Sequence, residues 1–421
     1  MQLKYDKMKQ QYFYVFLFMY GISFGQQILT LDECQRLISI NYPLAKKSQT
    51  LLLQHELEKE IISDKKLPQF SLDGQFTYQS EVINLPIPGS ISLNKDQYKA
   101  TLSMNQLIFN GGLIDANKKL ITTQLKMKKK QLEVDMYQLK KQVNQIYFSI
   151  LLAQEAALLI KTKNKLLNSK LKEVISGIKN GVLVGASGKI LKVELLKNNQ
   201  DLQGILNNKQ KLIATLSKLI NLSIKSTTEF IYPEIQITLN NKIARPELDL
   251  FQFKNEEIEK NMQVVSKKNA PTIISFVNGG FGNPGLNMLD NSFQTFYMVG
   301  AKLKWTIFDW NSTKKQQKLL ALNKEIIKNN REVFLLNTEI TLHQQEKEIE
   351  KIKAFVVTDK EIINLRNEVL ASADSQFKNG TITASEYIAK LTDLFVDKNT
   401  LITHQIQLQL AKANYKITKG Q

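Results

Sequence analysis

The chain has 421 residues, 57 basic against 39 acidic, 43% of them apolar, with a single cysteine. That composition excludes wholesale disorder, collagen-like repeats, a disulfide scaffold and a cysteine-based zinc site. With only His55, His343 and His404 and no paired-histidine motif, no metal or other cofactor is expected. The net charge of +18 rests on lysine, since Arg36, Arg245, Arg331 and Arg366 are the only arginines. Lysines spread through helical stretches describe a solvated surface rather than a nucleic-acid reader, which would lean on arginine forks.

The N-terminus carries Lys4, Lys7 and Lys9, then an apolar run from Tyr12 to Tyr20, then Ser23-Phe24-Gly25. This is the layout of a signal peptide over residues 1–25, with cleavage expected before Gln26. The run is too short to span a bilayer, which takes roughly 20 apolar residues.

The remainder of the chain is a tandem repeat. Pro43 and Pro246 are 203 apart, as are Pro68 and Pro271. Further on, Tyr98 and Tyr297, Phe109 and Phe308, and the two Lys-Asn-Gly turns at 179–181 and 378–380 are each 199 apart. The offset changes between Leu85-Pro86-Ile87-Pro88-Gly89 and Asn283-Pro284-Gly285, a loop. After the turns it falls to 198, which places one inserted residue just after Gly181. Residues 26–222 form the first repeat and 246–421 the second, joined by a linker over 223–245.

Each repeat opens with a helix led by a proline. Next the period becomes two. Phe70, Leu72, Gly74, Phe76 and Tyr78 alternate with polar residues, and so do Tyr98, Ala100, Leu102 and Met104. A hairpin over 69–109 is expected, and a second over 272–308 from Tyr297, Val299, Ala301, Leu303 and Trp305, although Thr272 to Gly282 is glycine-rich and ambiguous. An ordinary sheet over a core would alternate in the same way. Aromatic ends (Phe70, Tyr78, Tyr98, Phe109, Trp305, Phe308, Trp310) and the lack of any covering element favour tilted membrane strands. Four strands cannot close alone, but three chains would supply twelve.

No proline interrupts 89–232 or 285–421. Apolar residues recur at sevens through Leu125, Leu132, Leu139, Ile146, Ala153, Ile160, Leu167 and Val174, and again through Leu319, Ile326, Val333 and Ile340. Such spacing makes a coiled-coil seam. Long helices are expected over 113–179 and 313–378, each about 100 Å long at about 1.5 Å per residue. Returning helices come next over 187–222 and 384–417, giving long-helix regions of 113–222 and 313–417. The fold class is therefore mainly α with a membrane β-barrel part, in two repeats of helix, β-hairpin and coiled-coil helix hairpin.

This order resembles the TolC-like outer membrane efflux protein family. The marks are Leu29-Thr30-Leu31-Asp32-Glu33-Cys34, Asn41-Tyr42-Pro43, Gln106-Leu107-Ile108-Phe109-Asn110-Gly111-Gly112 with its match Trp305-Thr306-Ile307-Phe308-Asp309-Trp310, and the two Lys-Asn-Gly turns. The resemblance implies a homotrimer in the outer membrane of a Gram-negative bacterium. It would have a twelve-stranded barrel among outer membrane lipid, an α-helical tunnel through the periplasm, and an equatorial layer that includes the linker. Such a protein would be the passive exit duct of a tripartite efflux or type I secretion system, joined through a periplasmic membrane fusion (adaptor) protein to an inner-membrane transporter.

The resemblance also implies adaptor-contact tips at Gly181, Val182, Leu183, Gly380 and Thr381, and a pore gate candidate at Glu386. Three such carboxylates ringing a pore would favour cations and have raised pKa values. A second family acid is replaced by Ala389. The alternative reading of Glu386 is a first-turn acid at a helix N-terminus. No nucleophile, base and orienting group come together, so an enzyme is not expected. The competing function is a periplasmic coiled-coil adaptor or scaffold without a pore, which would lack the two amphipathic hairpins. Whether a drug, a metal or a protein is exported is not legible.

Overall fold

The computed structural model describes residues 28–83, 94–181, 183–237 and 242–421. The expected leader at 1–25, Val182 and Pro86-Ile87-Pro88-Gly89 lie outside the described residues. In chain order the elements are β1 (Ile28–Leu29), α1 (Leu31–Asn41), α2 (Pro43–Asp64), β2 (Gln69–Tyr78), β3 (Asp96–Phe109), α3 (Leu113–Lys179), α4 (Gly185–Ile220), β4 (Glu229–Phe230), α5 (Pro246–Lys267), β5 (Thr272–Asn283), β6 (Gln294–Lys304), α6 (Ser312–Lys378) and α7 (Ala384–Lys419).

Local chemistry sets the helix starts. Thr30 caps α1 by accepting the Glu33 amide at 3.2 Å. Pro43 and Pro246 open α2 and α5 where a missing N–H costs nothing, and each holds the residue before it, Tyr42 or Arg245, in extended backbone. Helices α3 and α6 have 67 residues each, and α4 and α7 have 36 each. Helix α6 begins at Ser312, one residue before the position read from the sequence.

The described residues fall into two units. One takes its residues from the ranges ending at 45, 136–243 and 338–421. Its main core gathers Cys34 and Ile38 of α1, Tyr147, Phe148 and Leu151 of α3, Leu216 and Ile220 of α4, Phe230, and Ile406 of α7. Burial first, and the charge of Glu33 second, push the Cys34 thiol up to about 12, so it is a protonated apolar filler. The first part of the linker, to Ile235, runs along this core. Strand β4 pairs in parallel with β1, and the Tyr147 hydroxyl lies 2.9 Å from the Leu29 carbonyl and 2.7 Å from that of Ile231. Gln409 accepts the Ile235 amide at 2.9 Å and Gln154 donates to the Phe230 carbonyl at 3.2 Å.

The other unit comprises 46–135 and 244–337 and holds the sheet. Its strands run in the order β2-β3-β5-β6 and every neighbouring pair is antiparallel. The sheet is open, with β2 and β6 as its edges. The ambiguous segment is strand β5, and the second hairpin's last strand ends at Lys304, short of 308. Strand β5 hides its period because apolar residues fall on both faces, Ile273, Val277 and Phe281 on one and Ile274 and Phe276 on the other, with glycines between. At the helix end of the sheet, Asp309 caps α6 by accepting the Thr313 amide at 2.9 Å and the Asn269 side-chain amide at 2.7 Å.

Candidate functional site

The sequence points to two places, the sheet faces and the helix-hairpin tips. The register sorts the sheet into two faces. Phe70 lies opposite Met104, Leu72 opposite Leu102, and Phe76 opposite Tyr98. Met104 faces Val277, which faces Val299, while Tyr297 pairs with Gly279 and Leu303 with Ile273. One face is thus apolar across all four strands, and it is uncovered. Leu72 is 76% exposed, Val299 66% and Tyr297 80%. Water alone would make such a face a severe aggregation liability. Aromatic side chains cluster at both ends. Phe76, Tyr98, Phe293 and Phe281 make ring contacts in series at the loop end, while Trp305, Phe308 and Trp310, with Ile307, stand exposed near α6.

The opposite face is polar over β2 and β3, with Ser71, Asp73, Gln75, Thr77, Lys99, Thr101 and Ser103. Over β5 and β6 it is mixed, with Asn278, Lys302 and Lys304 among apolar residues. Phe276 lies across Gly300, where an added Cβ would meet the ring at 2.7 Å, and Phe296 lies across Gly280. The alternation with polar residues read for the first hairpin does not extend to the ambiguous strand, which brings Phe276 and Ile274 to this face.

At the tips, Gly380 has φ of +73° and closes α6 with a paired carbonyl capture. Its amide donates to the Phe377 carbonyl at 3.1 Å, and that of Thr381 donates to Gln376 at 2.9 Å. Gly181, with φ of +77°, donates to Ile178, but the second bond comes from Leu183 to Gly177 at 3.2 Å. The closing amide is thus one residue later than in the other tip, where the sequence offset placed its insertion. Leu183 is not a free apolar contact. It packs over Gly177 and against a core with Ile178, Phe377, Ala384 and Tyr387; among the described residues of this tip, Val184 is an exposed apolar one. The Thr381 hydroxyl also turns back, donating to the Gln376 carbonyl at 2.8 Å.

Glu386 forms a reciprocal cap at the start of α7. Its carboxylate accepts the Thr383 amide at 2.7 Å and the Thr383 hydroxyl at 2.9 Å, and its own amide donates to the Thr383 hydroxyl at 3.2 Å. The Thr383 amide first, then the hydroxyl, holds its pKa below the usual carboxylate value. Within one chain this is the opposite of the raised value expected for a crowded ring.

Sequence reading missed a set of buried lysines near these tips. Lys170 of α3 reaches Asp374 of α6 at 2.5 Å and Glu173 at 2.6 Å and lies over the Tyr387 ring. Burial pulls its pKa down, but hydrogen bonds to Asp374 and Glu173 outweigh that and leave it raised. Lys163 reaches Glu194 at 2.7 Å and the side chains of Asn198 and Thr392 at 3.3 Å. Their sequence signal was weak because both sit in lysine-rich helical runs and, apart from Glu173, their partners lie on other helices. His404 bonds Asp359 at 2.6 Å, and Glu348 and Glu350 pair with Lys351 and Lys347 on a charge-laced helix face. Among the described residues, no group of three or more His, Cys, Asp or Glu is placed to hold a metal.

No protein-family model matches the chain, and no curated protein matches it. Solved structures do. CusC, described with its transmembrane channel formation, superposes with a TM-score of 0.69 at 11% identity over 93% of this chain and 92% of its own. The outer membrane protein VceC of Vibrio cholerae gives 0.65 at 13% over 93% and 96%. The CmeC outer membrane channel of Campylobacter jejuni gives 0.64 at 14% over 93% and 85%. The chain therefore has the fold of these outer membrane proteins over nearly its whole described length.

Proposed function

We propose that this protein is an outer membrane channel, a homotrimer whose twelve strands form a barrel and whose long helices form a tunnel through the periplasm. The observation that carries the reading is the four-stranded sheet with an uncovered apolar face and two unpaired edges. Strands of 10 to 14 residues rise roughly 33–46 Å at about 3.3 Å per residue, and a tilt near 45° brings the shorter ones to about 25 Å, the height of an outer membrane apolar band. Because the strands alternate in direction, β6 of one copy meets β2 of the next antiparallel, so rotation about one axis can seal the wall. A second apolar stripe points the same way: the heptad residues Leu319, Ile326, Val333 and Ile340 of α6 are about half exposed or more, as a seam awaiting another copy would be.

In this reading the duct is passive and serves a tripartite efflux or type I secretion system. Gly181, Val182, Leu183, Gly380 and Thr381 mark the adaptor-facing tips, with Val184 exposed beside them, Glu386 stands at the entrance, and residues 223–245 belong to the equatorial layer. The pore-less scaffold is disfavoured by the sheet, since a periplasmic scaffold would have no use for a bare apolar face. The test is fractionation with gel analysis and planar-bilayer recording. The reading expects an outer membrane protein that runs as a heat-sensitive trimer and conducts ions. A soluble monomer without conductance would refute it.

A further inference from the structure

On the sheet face opposite the uncovered apolar one, lysines and apolar rings are interleaved along the strands: Lys99 lies by Phe296 toward the loop end, and Lys302 and Lys304 follow Gly300, the partner of Phe276, toward the helix end. Lys99, Lys302 and Lys304 share this face with a single acid, Asp73, and no acid lies on the β5 and β6 half of it. The Lys99 ammonium sits 4.9 Å from the centre of the Phe296 ring, close enough for a cation–π contact to hold it over the strip. Phe276 and Phe296 lie over Gly300 and Gly280, which leave room for the rings, and Met298 stands exposed on the same face. The strip therefore offers ring faces for an apolar body and ammonium groups for a negative end.

We propose that this strip is a solute-binding surface of the barrel lumen that favours amphiphilic organic anions, an aromatic carboxylate or sulfonate being the simplest. The inference rests on the channel reading, in which this face lines the lumen. Each chain contributes a net charge of +2 there, from three lysines and one aspartate. Lysine rings in a narrow low-dielectric wall concentrate anions, and screening weakens the effect beyond about 10 Å at 0.1 M salt. Glu386, which carries the opposite charge, belongs to the start of α7 and not to this sheet.

The test is single-channel recording on the purified trimer in 0.1 M KCl, with 2-naphthalenesulfonate as the anionic probe and benzyltrimethylammonium as the cationic one. The sulfonate should interrupt the current at about tenfold lower concentration than the ammonium probe, and the preference should fade in 1 M KCl. Joint Lys99→Gln, Lys302→Gln and Lys304→Gln substitution should remove about tenfold of that sensitivity and move the reversal potential toward cations, while conductance persists. Equal block of the wild type by both probes overturns the proposal, as does unchanged block in the triple variant. If that variant fails to trimerise, Lys99→Gln alone decides, because it too must weaken the sulfonate block. A wild-type protein with no conductance at all refutes the channel reading itself.

Discussion

Asp309 ties the end of the second hairpin to α6, and its chemistry is specific to one half of the chain. The Thr313 hydroxyl first, then the Thr313 amide and Asn269, hold its pKa at about 2, below the usual 3.8. A depressed carboxylate stabilises the folded state above the unfolded value and loses that contribution as pH falls through the folded one. Stability should therefore drop between about pH 4 and pH 2, and Asp309→Asn should be less stable at pH 7 yet flatter across that window, as thermal unfolding against pH would read. The first half places Asn110 there, followed by Gly111 and Gly112, both at positive φ. Trp310 and Asn311 hold the same left-handed backbone without a glycine, at φ of +53° and +59°. The motif match between the halves was visible in the residues. That two glycines could be exchanged for Trp and Asn without changing the backbone was not, because the surrounding cap decides it.

Among the elements, the hairpin tips depend on backbone that only glycine adopts cheaply. Gly380→Val should destabilise the α6–α7 hairpin by roughly 1–2 kcal/mol, the cost of a β-branched residue in left-handed backbone. Nothing stands within 4 Å of an added Cβ at Gly380, so the loss would report conformation rather than a clash. Hydrogen exchange at the ends of α6 and α7 would read it, and unaltered protection there would show that the turn tolerates the change. Helix bounds were legible because proline placement, seven-residue spacing and the Lys-Asn-Gly turns are local signals. The role of Leu183 was not. Its amide closes the turn and its side chain packs against the core that holds Phe377 and Tyr387, residues about two hundred positions away.

At the scale of the whole molecule, the face assignment of the sheet makes opposite demands on adjacent residues. Val299 is the midpoint of β6 on the apolar face, and Met298 beside it is on the other. Val299→Arg should cost about 2–4 kcal/mol per chain in bilayer insertion, as for a charge at mid-membrane, while Met298→Arg should cost far less. Folding into lipid vesicles under a urea series measures both, and equal penalties would mean that neither face meets lipid. From its residues alone the chain determined its doubled order, its long helices, its hairpin positions and its capping signals, because these depend on spacing within tens of residues. Only the tertiary structure decided that β3 pairs with β5 and so joins the two hairpins into one sheet. That pairing brings together segments far apart in sequence, and it sets which side of the ambiguous strand β5 lies with the apolar face and which with the lysines.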